Sequence, residues 1–342
     1  MGLMTRGWAP KKLSEQTIVI TGASSGIGLA TARLAAARGA RVVLTSRNEQ
    51  DLRHVVDEIN ARGGRATSVV ADVADPAELD RVAEVAIREF GGLDTWVNDA
   101  GVSIYGKLTD VPLEDKKRLF ETNFWGVVNG CRAAVRHLRE SGGTIINIGS
   151  IASDRAMPLQ GIYSASKHAV LGYTDALRME LEHDGLPITV TLVKPSATNT
   201  PFVEHARNYM DKAPSLPPPI YAPDVVADTI LRCAERRIRE VTVGGGGRMM
   251  SALGKLTPRS MDKYMEKTMF EGQKDQTGTV LPQDSLFEPK EDGYASGPYA
   301  GHVMQSSVYT RTKLSNVARV LPFIAAGAVL AAGVRRWRSD AA

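Results

Sequence analysis

The sequence predicts an α/β fold over residues 14–250, a doubly wound parallel sheet of seven strands with helices on both faces. Three observations predict it. Short β-branched runs alternate with amphipathic helical patterns throughout the stretch, the order expected of parallel strands joined by crossover helices. A glycine-rich turn joins the first run to the first helix. Polar and acidic residues recur just after the runs, at the strand ends where open α/β sheets bind ligands.

Thr17 to Ile20 is the first run. It ends in Thr21, Gly22, Ala23, Ser24, Ser25, Gly26, Ile27 and Gly28, after which Ile27, Ala30, Leu34 and Ala37 recur at helical spacing. Glycines let a backbone turn tightly and approach a pyrophosphate, and the free N–H groups of the helix start supply donors for it. The stretch therefore reads as a dinucleotide site. The second strand, Arg41 to Thr45, is followed by Ser46 and Arg47. A ribose 2′-hydroxyl is usually held by an acid here and a 2′-phosphate by an arginine, so Arg47 points to NADP(H) over NAD(H), the alternative being a merely solvated side chain.

A helix over 49–61 and a Gly63-Gly64 break lead to a strand over 67–71, with Asp72 and Val73 at its end. Asp75, Pro76 and Glu78 have the pattern of a helix start. The fourth strand, 93–97, runs into Asn98, Asp99, Ala100 and Gly101, which a simple turn would explain equally well. A helical stretch over 113–139 carries Asn123 and Gly126 in its middle, poor helix residues that imply a kink or a polar group aimed at the site. The fifth strand, 143–150, has Ser150 at its C-terminal end.

A helix from Tyr163 to about Asp184 places Tyr163 and Lys167 at i and i+4, on one face. An ammonium beside a phenol favours the phenolate, so Lys167 is expected to lower the Tyr163 pKa and make it an acid or base. The sixth strand, 188–193, leads to Pro195, Ser196, Thr198 and Thr200. A proline-rich segment, 202–222, is expected to form a flap over a substrate. A helix over 223–237 and the last strand, 240–243, follow, and Gly244 to Gly247 reads as a turn.

Composition is that of a globular chain: 342 residues, 43% hydrophobic and 23% charged. A net charge of +4 is too small to argue for nucleic acid, and no metal-ligand spacing stands out. Cys131 and Cys233 have no paired spacing and suit a reducing, cytoplasmic compartment. Residues 1–13 form an N-terminal arm without the apolar core of a secretory signal.

The conjunction of Thr21-Gly22-x-x-x-Gly26-x-Gly28, Asp72, Asn98-x-Ala100-Gly101, Asn123, Ser150, Tyr163-x-x-x-Lys167 and Pro195-x-x-x-x-Thr200 resembles the short-chain dehydrogenase/reductase family, in its compact branch. The resemblance covers roughly residues 14–245. It implies a Rossmann-type domain that binds NAD(P)H. The cofactor contacts would come from Thr21, Gly22, Ser24, Ser25, Gly26, Ile27, Gly28, Ser46, Arg47, Asp72, Val73, Asn98, Ala100, Gly101, Tyr163, Lys167, Pro195, Thr198 and Thr200. It also implies a site in which Ser150 bonds the substrate oxygen and Tyr163 is the general acid and base. Lys167 would bond the nicotinamide ribose, and Asn123 would steady a proton-relay water. A homo-dimer or homo-tetramer is implied as well. Two departures stand out: Asp99 replaces a usual asparagine and Ser196 a usual glycine.

Past the compact domain the sequence predicts a helical extension over 251–270, with Met261, Tyr264, Met265 and Met269 on one side, and an extended linker over 271–314. Residues 315–338 contain an almost wholly apolar stretch flanked by arginines. As a helix, 317–334 spans about 27 Å against a bilayer core of about 30 Å. It reads as a membrane anchor or as an interfacial or protein-packed helix, with disorder as a third alternative; an anchor would favour a lipophilic substrate. The expectation is an NADP(H)-dependent oxidoreductase acting on a carbonyl or alcohol. The rival is a catalytically silent NADP(H)-binding sensor or scaffold on the same fold.

Overall fold

The structure is a computed structural model that describes residues 8–275, 283–290 and 293–315. After a short 3-10 turn at Leu13–Glu15 the chain alternates strand and helix. β1 (Thr17–Thr21), α1 (Gly26–Ala37), β2 (Arg41–Ser46), α2 (Glu49–Ala61), β3 (Arg65–Val70), α3 (Pro76–Phe90) and β4 (Thr95–Asn98) form the first half. In the second half come the short β5 (Ile104–Tyr105), α4 (Leu113–Phe120), α5 (Gly126–Ser141), β6 (Gly143–Ile148), α6 (Gly161–His183) and β7 (Ile188–Pro195). The short β8 (Arg207–Asn208) and β9 (Ile220–Tyr221) precede α7 (Pro223–Ala234) and β10 (Glu240–Val243).

Seven of these strands make the one parallel sheet that the sequence predicts, in the order β10-β7-β6-β4-β1-β2-β3. From β1 the chain first builds outward through β2 and β3, then returns to lay β4 on the other side of β1. The β1 and β4 loops therefore part at their C-terminal ends and open a cleft. Apolar side chains fill both faces. Ile18, Ile20 and Leu44 pack on one side with the alanines of α1, and Val19, Val43 and Trp96 on the other with α3 and α5. Local signals hold the ends: the Asp75 carboxylate accepts from the Ala77 N–H at 2.8 Å, and Gly91 closes α3 in a left-handed conformation.

Three regions differ from the expectations. The helix over 113–139 is broken by one π-helical turn, Glu121–Trp125, which carries the fully buried Asn123. Gly244 to Gly247 is not only a turn: α8 (Gly245–Leu256) begins within it, then α9 (Pro258–Gly272) packs beside α8. The stretch expected as a linker is an arm laid on the domain. It contributes β11 (Val303–Met304), which pairs in parallel with β9, and α10 (Val308–Leu314), capped by Ser307. Its attachments are mostly backbone hydrogen bonds, which leave no hydrophobic period to read. The apolar segment within 315–338 lies outside the described residues apart from Ser315. Among the described residues no helix is long and apolar enough to cross a membrane.

Candidate active site

The loop after β1 is shaped by contacts that exclude side chains. Gly22 has φ +70°, and a Cβ on it would lie 2.8 Å from Ala100 Cα. A Cβ on Gly28 would lie 2.3 Å from the Gly22 carbonyl oxygen. The β1 loop, the start of α1 and the β4 loop are thus pressed together with hydrogen atoms alone between them. Ser24, Ser25, Gly26 and Ile27 line the cleft this creates, which belongs to a cavity of about 690 Å³. Along the same cavity lie Ser46, Arg47, Asp72 and Val73 at one end, Ala100 and Gly101 in the middle, and Pro195, Thr198 and Thr200 beyond. A long cleft with a backbone cradle at a helix N-terminus fits a dinucleotide.

Two residues expected to touch a cofactor do something else. Thr21 stands behind the cleft, its hydroxyl accepting from the Asp99 and Ala100 N–H groups, both at 3.0 Å, and tying the two loops together. Asn98 is buried in the sheet, where Nδ2 donates to Asn147 Oδ1 at 2.8 Å and Oδ1 accepts from Trp96 Nε1 at 2.7 Å. Both sit at strand ends facing the neighbouring strand, so they fix the loops rather than line the cleft.

Arg47 lines the cavity, but its guanidinium also donates to the carbonyls of Ser285 (2.5 Å) and Phe287 (2.6 Å) in the C-terminal arm. The arm crosses further groups of the same edge. The Gly26 N–H donates to the Tyr294 carbonyl at 2.9 Å, Asn48 to the Lys290 carbonyl at 3.3 Å, and the Gly293 N–H to Asp51 at 3.2 Å. Ser285, Pro289 and Lys290 form part of the cavity wall. Asp72 is pulled both ways: burial raises its pKa, but the Ala74 N–H and the Arg118 guanidinium hold it below the usual value.

At the other end of the cavity lie Ser150, Tyr163 and Lys167. Ser150 lies two residues past β6 and caps a single 3-10 turn, Ile151–Ser153, accepting from the Ala152 N–H at 3.1 Å. That cap holds its hydroxyl against the Tyr163 phenol, to which it hydrogen-bonds. Tyr163 stands in the first turn of α6 with Phe202 at its ring (centroids 5.7 Å apart). One turn on, Lys167 Nζ donates to the Ile148 carbonyl at 2.9 Å and lies 5.8 Å from the Tyr163 ring centroid. Asn123 does not line the cavity. Its Oδ1 accepts from the Val102 N–H at 2.8 Å and its Nδ2 donates to the Val102 carbonyl at 2.9 Å. Still, a Cβ on Gly101 would be within 4 Å of both Asn123 Oδ1 and Lys167 Nζ, so the two flank one point.

The electrostatics correct one expectation. Burial pushes the Tyr163 phenol up to about 12, against the lowering effect of the Ser150 hydrogen bond, and the Asp99 carboxylate raises it further. Burial outweighs the lowering expected from Lys167, whose ammonium donates to the Ile148 carbonyl. Burial brings Lys167 down to about 8, with Asp99 opposing. Asp99, named in the sequence only as a departure, is itself pushed up to about 7 by burial, with Lys167 and a hydrogen bond from the Gly28 N–H lowering it. The group is thus a neutral phenol and a hydroxyl at the end of a dinucleotide-sized cleft, with a cation beneath.

Sequence reasoning missed the wall opposite Tyr163. Met250, Leu253, Met261 and Tyr264 of α8 and α9 line it. The methionine and tyrosine spacing of α9 was the available signal. Of that stripe Met265 alone is pure core, in a cluster with Tyr163 and Leu286.

A family model described as short chain dehydrogenase matches residues 16–211. An uncharacterized oxidoreductase of Bacillus subtilis, YxnA, is 42% identical over 332 residues, covering 96% of this chain and 93% of its own. The ketoacyl reductase HetN of a Nostoc species is 30% identical over 260 residues, 73% of this chain and 88% of its own. A short chain dehydrogenase/reductase from Burkholderia phymatum, solved in complex with NAD, superposes with a TM-score of 0.62 at 25% identity, covering 80% of this chain and 100% of that one. An oxidoreductase homologue along nearly its whole length, the matching parallel sheet and the family model over more than half its residues lead to one conclusion: the chain belongs to the short-chain dehydrogenase/reductase family.

Proposed function

We propose that the protein is an NADP(H)-dependent oxidoreductase that interconverts a carbonyl and a secondary alcohol on a lipophilic small molecule. The observation that carries this reading is the junction of the two halves of one cavity, the glycine-edged cleft and the Ser150–Tyr163–Lys167 group. The bound coenzyme would supply or accept the hydride. Ser24 to Ile27 would hold its pyrophosphate, Lys167 its nicotinamide-side ribose, and Arg47 its 2′-phosphate, exchanging the arm carbonyls for it.

The chain's own work is proton transfer and charge stabilisation. As a carbonyl oxygen gains negative charge, the Ser150 hydroxyl donates a hydrogen bond to it and Tyr163 transfers its phenolic proton. A phenol raised to about 12 is fully protonated at neutral pH, as an acid must be. The Lys167 ammonium lies under the ring and stabilises the phenolate left behind. In the reverse direction that phenolate takes the alcohol proton. Self-association as a dimer or tetramer, which the family resemblance implies, belongs to the same proposal.

Purified protein offered NADPH and a panel of ketones tests the reading. Turnover that falls about 10²- to 10⁴-fold in Tyr163→Phe, with NADPH still bound, is the expected result. Binding of NADPH with no ketone reduced would overturn it in favour of a silent sensor.

A further inference from the structure

α8 is amphipathic in reverse. Its small residues Gly247, Ser251 and Gly254 face the domain, while Met249, Leu253 and Leu256 are 64%, 43% and 79% exposed. The close packing of the small face forces this: a Cβ on Gly247 would lie 2.4 Å from Ser196 Oγ and 2.5 Å from Ile151 Cγ2. Single exposed apolar residues are ordinary, but here they are continuous with the reaction cavity. Met249, Met250 and Leu253 line that cavity, as do Met261, Tyr264 and Met269 of α9. Tyr264 is 57% exposed, so the apolar wall runs from beside Tyr163 out to the surface. Among the described residues, the α8 and α9 side chains on this wall include no charged group.

The wall is also rigidly tied to the catalytic loop. Arg155, two residues past the Ile151–Ser153 turn, pairs with Asp262 of α9. Gln273 Nε2 donates to the Pro158 carbonyl at 2.9 Å, and Gln160 Nε2 donates to Gln273 Oε1 at 2.6 Å.

We infer that α8 and α9 form a channel for a long, unbranched, uncharged hydrocarbon chain on the substrate, whose carbonyl is presented to Ser150 and Tyr163 at the inner end. The inference rests on the oxidoreductase reading and names its substrate class. Methionine side chains are unbranched and polarisable and repack around a flexible chain, so four of them along one wall suit an alkyl tail better than a rigid ring system. The absence of charge on that wall leaves the far end of the tail neutral. The open outer end sets no hard limit on chain length.

The test is a series of methyl ketones, from 2-butanone through 2-hexanone and 2-octanone to 2-dodecanone, reduced with NADPH. kcat/KM is expected to rise about two- to fourfold per added methylene, the value of burying that group, until the chain reaches solvent. In Leu253→Gln and Tyr264→Gln, both at exposed positions where a polar side chain is tolerated, the ratio of kcat/KM for 2-dodecanone over 2-butanone is expected to fall about tenfold. A binding measurement separates this inference from the reading it rests on. 2-Dodecanone, but not 2-butanone, should displace 1-anilinonaphthalene-8-sulfonate from the wild type, and displacement should weaken in both variants, even if no ketone is turned over. A flat chain-length series without selective displacement overturns the inference. So does a result in which the variants change only self-association or partition to liposomes, which would assign the face to a second copy or a bilayer.

Discussion

Two strand-to-helix junctions on the same edge of the sheet are built from clustered glycines, and they use them differently. After β1, Gly22 (φ +70°) and Gly28 bring backbone against backbone, and Ser24 to Ile27 at the α1 start line the cleft. After β10, Gly244 (φ +107°) and Gly247 bring a helix against the Ser196 hydroxyl and Ile151. In the first junction the missing side chains make room for a ligand. In the second they make room for the helix itself, so that its large apolar residues turn outward over the site. Glycine clustering therefore does not identify a phosphate loop; what it leaves facing the cavity does.

Methyl groups added at the two junctions give the largest and most separable effects. Gly28→Ala places a Cβ against the Gly22 carbonyl, and also 2.9 Å from Asp99 Oδ2. Backbone cannot yield as a side-chain tip can, and overpacking of this kind costs about 1–3 kcal/mol, so the Kd for NADPH should rise up to about 100-fold. Gly247→Ala should instead disturb the seat of α8 and raise KM for long ketones, with the Kd for NADPH changed less than about twofold. Isothermal titration and steady-state kinetics on both variants check the pair. Equal effects on NADPH and ketone in the two variants would erase the distinction drawn between the junctions.

The first junction was legible in the sequence and the second was not, for a physical reason. A run of β-branched residues, a glycine turn and Ile27, Ala30, Leu34 and Ala37 at helical spacing all agree on one local structure. Ser150, Tyr163 and Lys167 were legible because side-chain chemistry sits at strand and helix ends that the same pattern locates. Around Gly244 to Gly247 the local preference for a turn is overridden by packing on Ser196 and Ile151, which lie far away in the chain. The arm was illegible for another reason: Ser285, Phe287, Lys290 and Tyr294 act through their carbonyl oxygens, which any residue carries. Asn98 was over-read, since the same side chain serves Asn147 and Trp96 within the sheet.

Arg47 tests whether the arm and the glycine cleft act together. Its hydrogen bonds to Ser285 and Phe287 hold the arm, and the same guanidinium is the proposed 2′-phosphate partner. Charge-assisted bonds contribute about 1.5–3 kcal/mol. Arg47→Ser should therefore lower the preference for NADPH over NADH by about tenfold or more, measured as the ratio of kcat/KM for the two. A ratio that does not change would remove Arg47 from coenzyme selection and leave it as an anchor of the arm.

The smallest expected effect concerns Asp99, which joins the two ends of the cavity by accepting from the Gly28 N–H while acting on Lys167 and Tyr163. Its carboxylate raises the pKa of both of those groups. Ketone reduction needs Tyr163 protonated and Lys167 charged, so its rate should fall as pH rises through about 8, where burial has brought the Lys167 ammonium. Replacing the carboxylate by an amide lowers both pKa values. In Asp99→Asn the alkaline fall of kcat/KM should move to lower pH, by a fraction of a unit. Asp99 itself is pushed up to about 7, so below that pH the wild type carries a neutral acid of nearly the same shape as asparagine. The two pH profiles should coincide near pH 6 and separate above about 7. Profiles that differ by a constant factor at every pH would mean that Asp99 acts through packing alone, and a shift to higher pH would reverse the sign of its coupling to Lys167.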